Sequence, residues 1–414
     1  MKNLKTTIGL ATAMLLSSAV NASESLEMAN MKEELKELRE ITQTLIDETS
    51  DLKTGFNYST VDTTKSHSGL GNAASKVYYS KSPLSIGGYG EMYYSSESKE
   101  DGSSKSTLDV YRFVPYIGYK FNDNLILNVE LEFEHGGIKN DGGEAAGGEV
   151  IVEFMYLDFL FNEYANVRVG NFLMPMGLIN EKHEPTLFTT VQRPLTSKYI
   201  LPSTWHESGI MVYGQITEGL EYKFAGVSAL QTGVNGSSWV RNARGGSFKQ
   251  TDPALGFIAR LDYTGINSLL VGSSAYYAPS LNDVDSDTTI FDVHVDYKQS
   301  GFRAYGTYAN VSRTNASLIA SDAVESAYGG YLNLSYDVLS LTASTFSLPI
   351  FVQYESVAPE DKRADGSSLD ATNTTTLGIN YFPHDQVVLK LDYAMKSIAS
   401  IDSDTTSVSM GFIF

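Results

Sequence analysis

From residue 84 to its end the chain repeats one pattern. Segments in which apolar and polar residues alternate singly are joined by connections that are by turns short and long. Side chains on a strand switch faces at every residue, so each segment reads as a strand with one apolar and one polar face. Sixteen segments fit: 84–94, 107–121, 124–134, 149–160, 165–172, 206–217, 219–230, 253–264, 267–278, 288–299, 301–313, 324–338, 348–356, 372–382, 386–396 and 403–414. The tight connections are 122–124, 162–164, Glu218, 265–266, Ser300 and 383–385. Between them lie the longer polar segments 95–106, 135–148, 173–205, 231–252, 279–287, 314–323, 357–371 and 397–402. Segment 339–347 is longer than its place in the series predicts. A soluble sandwich or propeller has no need of such regularity; a membrane barrel has turns on one side and loops on the other.

The faces agree. In 124–134, Leu125, Leu127, Val129, Leu131 and Phe133 oppose Asn128, Glu130, Glu132 and Glu134. Charge at mid-membrane costs ~2–4 kcal/mol per residue, so the charged face must meet water inside. The fold class is therefore all-β, a transmembrane antiparallel β-barrel of about sixteen strands, wide enough for an aqueous channel. Its expected pore wall includes Arg112, Lys120, Glu130, Glu132, Arg168, Arg260, Asp262, Asp292, Asp296, Lys298, Arg303, Lys390 and Asp392. Strand 149–160 is a misfit, because Glu153 and Asp158 fall on opposite faces. The sequence predicts a bulge or a subunit interface there.

Loop 173–205 is the longest connection. Pro175, Pro185, Pro194 and Pro202 stiffen it, and Leu187, Phe188, Val191, Leu195, Tyr199 and Leu201 are too apolar for a loop in water. A long loop with its own packing is usually functional. Folded against the inner wall, it brings Glu181, Lys182, His183, Glu184, Arg193 and Lys198 to a pore constriction. The alternative is that it covers a neighbouring subunit.

Catalytic patterns are missing. The six histidines form no H-E-x-x-H pair, and no G-x-S-x-G elbow occurs. Segment 282–287 begins like a calcium loop, but Thr288 stands where glycine is needed and His294 where glutamate is. No catalytic residue, cofactor or metal ligand is therefore expected. A formal charge of −19 disfavours nucleic acid as a partner. Cysteine is absent, so the fold rests on its hydrogen-bonded ladder.

The termini extend this reading. Lys2, Lys5 and the apolar run 8–16, followed by Val20-Asn21-Ala22, predict a cleaved secretory signal over 1–22. Residues 23–53 read as a periplasmic coiled coil, with Met31, Leu35, Leu38, Leu45 and Leu52 in its core. Residues 54–83 read as a polar linker, partly ordered near the barrel entry, and 84–414 as the barrel domain. The last strand, ending on Phe414, resembles the closing strand of bacterial outer-membrane barrels, in which a terminal Phe is an assembly signal.

Residues 84–94 (Leu-Ser-Ile-Gly-Gly-Tyr-Gly-Glu-Met-Tyr-Tyr) and the preceding 73–79 resemble the start of the barrel in the phosphate-selective porin O/P superfamily. Val169 to Gly177 is similar to that superfamily's lead into the constriction loop, and the N-terminal helix to that of its coiled-coil-bearing dicarboxylate-uptake relatives. The resemblance implies a Gram-negative outer-membrane porin. It implies a homotrimer, contact with outer-membrane lipid and lipopolysaccharide, and insertion by the barrel-assembly machinery. The expected function is passive diffusion of small hydrophilic solutes, with a preference for small anions such as phosphate and carboxylates. The competing reading is a structural or adhesive protein that links membrane and cell wall through its coiled coil.

Overall fold

The computed structural model describes residues 32–44, 60–138, 140–141, 144–145, 147–280, 284–398 and 401–414. The chain divides into two units, Met1–Thr60 and Val61–Phe414. In the first, residues 32–44 are helical and Leu35 and Leu38 are exposed. The signal segment and the core positions Met31, Leu45 and Leu52 lie outside the described residues.

The second unit is a closed antiparallel barrel of sixteen described strands. In chain order they are β1 (Leu84–Lys99), β2 (Ser104–Asn122), β3 (Leu125–Glu134), β4 (Glu149–Leu160), β5 (Asn166–Leu173), β6 (His206–Thr217), β7 (Leu220–Ser228) and β8 (Leu255–Tyr263). Then follow β9 (Leu269–Ala278), β10 (Thr288–Gln299), β11 (Phe302–Arg313), β12 (Val324–Asp337), β13 (Pro349–Arg363), β14 (Thr372–His384), β15 (Val387–Ser397) and β16 (Ser403–Ile413). Each pairs with its neighbours, and β16 closes on β1 from Tyr89↔Ile413 to Lys99↔Ser403. Closure leaves no unpaired edge, which a sheet in lipid requires. Phe414 continues the seam: its N–H donates to Gly88 O and its C=O accepts from Gly88 N, both at 2.9 Å.

Alternation sorts the side chains as charge demands. Along β8, Leu255, Phe257, Leu261 and Tyr263 are exposed on the outer face, while Ile258, Arg260 and Asp262 are buried inside. The long connection after β12 is a 3-10 turn, Val338–Leu341. Asp337 caps it, accepting from the N–H of Leu339 and of Leu348.

Strand β4 bulges. Its register against β3 jumps from Glu130↔Phe154 to Leu131↔Val152, leaving Glu153 as the extra residue. A bulge re-aims the side chains that follow it. Glu153 and Asp158, of opposite parity in the sequence, are both fully buried as a result.

The described part of the expected linker is ordered well beyond the barrel entry. Residues 61–83 carry a helical turn, Lys76–Tyr79, and bury Val61, Leu70, Ala73, Ala74 and Val77. The segment needs no core of its own because the inward face of the wall supplies one. Asn128 donates to Ala74 O (2.9 Å), Lys120 to Ser80 O (2.7 Å) and Lys223 to Ser68 O (2.6 Å). At Gly118 a Cβ would collide with Val77, so β2 carries glycine where the turn presses on it.

Candidate functional site: a wall and the loop it holds

Loop 174–205 leaves β5 and returns to β6 through a closed neck. Met174 N–H donates to Trp205 O (2.8 Å). Asn180 locks the neck: its amide donates to Met174 O (2.7 Å) and Trp205 O (2.8 Å), and its carbonyl accepts from Trp205 N (2.8 Å). Apolar residues of the loop, among them Met174, Met176, Leu178, Ile179, Phe188, Val191, Ile200 and Leu201, are buried.

Beyond the neck, polar residues of the inward face bind the loop's backbone around much of the barrel. Arg260 on β8 donates to Gly177 O (2.6 Å), and Asp292 on β10 accepts from Gly177 N (3.2 Å). Arg303 on β11 donates to Leu187 O (2.9 Å), while Tyr305 OH bonds Thr189 N–H (3.1 Å) and Oγ1 (2.9 Å). Asn333 on β12 donates to Thr189 Oγ1 (2.6 Å). Glu355 on β13 accepts from Leu195 N (2.9 Å), Thr196 N (2.7 Å) and Thr196 Oγ1 (2.9 Å). Lys390 on β15 donates to Phe188 O (2.9 Å) and Thr190 O (3.0 Å), and Asp392 accepts from Val191 N (2.6 Å). A loop inside a barrel must satisfy its backbone groups on the wall or in water. Here the wall does much of it.

Many wall charges also pair with each other. Arg112 meets Glu91 (2.9 Å), Glu132 (3.2 Å) and Glu134 (3.8 Å). Arg168 pairs with Asp158 (2.8 Å) over the Tyr156 ring, and Tyr78 OH also donates to Asp158 (2.6 Å). Arg260 and His294 share Asp262, and His294 also bonds Asp292. Arg303 forks onto Asp296 with two bonds of 2.9 Å. Lys298 is exposed at the turn end of β10 and bonds none of these groups.

The six loop residues expected at a constriction do not act alike. Glu181 is neutralised by Lys223 (2.6 Å), with Arg260 at 3.7 Å. Glu184 accepts from the N–H of Ala73 (3.2 Å) and Ala74 (3.0 Å), tying the loop to segment 61–83; burial still pushes its carboxyl up to about 7. Arg193 donates to Ser203 Oγ (3.1 Å) and His183 O (3.0 Å). Among the described residues Lys182, Arg193 and Lys198 have no carboxylate within ion-pair distance, and Lys198 is exposed. His183 is buried against β3 and β4, and burial holds its ring down at about 4.

A second loop, between β7 and β8, reaches back over the first. It buries Trp239, Val240 and Ala243, and Arg244 donates to Thr204 O (3.1 Å). Arg313 lies over the Trp239 ring at 3.8 Å. Between this loop and β3–β4 is a cavity of about 190 Å³ lined by Glu132, Glu134, Glu149, His206, Arg241 and Arg244 among others.

Sequence reasoning missed Asn180, Tyr305, Asn333 and Glu355. The last three sit at inward parity on their strands, but no charge pattern marked them as holders of a backbone. The loop's own polar Asn180 carried no signal at all.

Among solved structures, the chain is similar to Salmonella typhi OmpF in complex with daunomycin (12% identity, TM-score 0.55, 80% of this chain and 97% of that one). It is also similar to the outer-membrane channel DcaP of Acinetobacter baumannii (11%, 0.53, 81% and 99%) and to the anion-selective porin from Comamonas acidovorans (14%, 0.52, 80% and 99%). At such identities the likeness is one of fold: a closed sixteen-strand porin barrel. No protein-family model matches the chain. An uncharacterized protein of Aquifex aeolicus is 34% identical over 354 residues, 80% of this chain and 79% of that one. The chain belongs to the family of that Aquifex aeolicus protein, and its fold is that of the outer-membrane porins.

Proposed function

We propose that the protein is an outer-membrane channel for passive diffusion of small hydrophilic solutes, favouring small anions such as phosphate and carboxylates. The observation that carries this reading is the loop bonded across the inside of a closed barrel whose inner wall is charged and whose outer face is apolar. A structural protein has no need to order its interior in this way. Among the described residues Lys182, Arg193 and Lys198 remain outside ion pairs while Glu181 is compensated, which favours anions at short range. The finer placement, in the phosphate-selective porin O/P superfamily with a trimer joined by a periplasmic coiled coil, rests on the sequence resemblance.

The test is single-channel recording in a planar bilayer. Discrete, stable current steps are expected, with a reversal potential under a salt gradient that shows a small anion preference. Lys182→Glu, at a side chain that takes no part in the bonds described above, should move that potential toward cations. A silent bilayer with correctly folded protein overturns the channel; a cation preference in the unmodified protein overturns only the selectivity.

A further inference from the structure

We propose that Glu130, Glu153 and His183 form a binding site for one divalent transition-metal ion, for which Zn²⁺ fits best, clamping loop 174–205 to the β3–β4 wall. The three residues offer one ligand atom each, all within 4.8 Å of one another, and all three are buried.

The argument begins with the imidazole. Its Nδ1 lies 2.7 Å from Asn180 O. A carbonyl only accepts, so Nδ1 carries the proton and donates. In the neutral ring Nε2 is then a bare lone pair. It faces Glu130 Oε1 at 3.3 Å and Glu153 Oε1 at 4.0 Å. Three electron-rich atoms pointing at one another repel unless a shared proton or a metal ion lies between them. An imidazole that donates its other N–H to a backbone carbonyl is the usual arrangement of a metal-bound histidine.

The carboxylates tell the same story independently. Both oxygens of Glu153 and Oε2 of Glu130 are buried without a hydrogen-bond partner among the described residues. Buried carboxyl groups are ordinarily paired, protonated or bound to metal. The nearby arginines are committed elsewhere: Arg112 to Glu91, Glu132 and Glu134, Arg193 to Ser203 and His183 O. The Tyr89 ring packs edge-on to His183 at 5.6 Å, and its buried hydroxyl is also unpartnered. The bulge supplies the geometry, since Glu153 is the extra residue and shares the inward side with Phe154.

Bond lengths of about 2.1 Å to N and O ligands put ligand atoms roughly 3–4 Å apart. The His183–Glu130 and His183–Glu153 separations fall in that range. A nitrogen ligand disfavours Ca²⁺ and Mg²⁺, which take oxygen, and one imidazole with two carboxylates suits zinc and its neighbours. Three protein ligands leave a fourth position open.

The experiment uses the full chain, metal-stripped in detergent and dialysed against Zn²⁺. One tightly held ion per chain is expected, with affinity reduced about 100-fold or more in Glu153→Gln and in His183→Gln, beyond the loss typical of removing a supporting group. Binding in both variants equal to that of the unmodified protein overturns the site, as does an unmodified protein that retains no ion. Should the variants not fold, X-ray absorption on the zinc-loaded unmodified protein decides. A first shell of one imidazole nitrogen and carboxylate oxygens supports the site; a shell without imidazole overturns it.

Discussion

Glu355 gathers three donors of the loop on one carboxylate, so its removal has a calculable local effect. Glu355→Ala orphans the N–H of Leu195, the N–H of Thr196 and the hydroxyl of Thr196 in a buried place. An orphaned buried donor costs about 1–3 kcal/mol. Taking the low end for each, because water can follow the departing carboxylate, the sum is about 3 kcal/mol. At about 1.4 kcal/mol per tenfold, local opening of this arm becomes more favourable by about 100-fold. Neighbouring anchors at Tyr305, Asn333, Lys390 and Asp392 are untouched, so the rest of the loop should stay bound. Amide hydrogen exchange read by mass spectrometry over peptides spanning 189–200 measures this directly. Protection of the Leu195 and Thr196 amides should fall by about two orders of magnitude, while the strands keep theirs. Glu355→Gln retains one acceptor oxygen and should lose less. Protection unchanged in the alanine variant of a folded barrel would refute the claim that the wall holds the loop through its backbone.

Two further outcomes are expected. His67 stacks on Tyr78 at 3.5 Å and faces Tyr213, Asp158, Arg168 and Lys223; burial lowers its ring from 6.5 to about 3. The unfolded or undocked state therefore binds the proton first, and docking of segment 61–83 weakens up to tenfold per pH unit as pH falls from about 6.5 toward 3. Limited proteolysis of that segment across this range should show the loosening, and His67→Phe should flatten it. At the other end of the chain, Phe414 stacks on Phe113 with ring centres 6.1 Å apart. Phe414→Ser should reduce the amount of protein reaching the cell surface, measured by surface labelling, and normal levels would remove the assembly role.

The barrel was legible because its physics is local and periodic. Lipid outside and water inside force a two-residue repeat, and that repeat is written in every strand, as in Leu125 to Glu134. Even the Glu153 misfit was visible as a break in parity, since a bulge must appear as a slipped phase. What could not be read was which polar side chains meet one another. Glu355 and Asn333 look like any inward residues until the loop's path is known, and that path depends on contacts over more than 100 positions, as between Arg303 and Leu187. How closely segment 61–83 docks was hidden for a related reason. Its composition is that of a linker because the apolar surface it needs belongs to the wall.

The location of that segment bears on the order in which the barrel assembles. Tyr89 pairs with Ile413, about 320 positions along the chain, and contacts of such separation form late because loop closure must precede them. Segment 61–83, by contrast, stands only a few residues from β1, and Lys76 already donates to Ile86 O at 2.7 Å. A Cβ at Gly87 would meet Phe414 O on one side and Lys76 on the other, so the segment and the seam share a border. The first strand can thus be held in shape by its own upstream neighbour while it waits for the last. A first strand held in this way would offer the seam an edge of fixed shape, and residues 403–414 would complete a surface begun at 61–83.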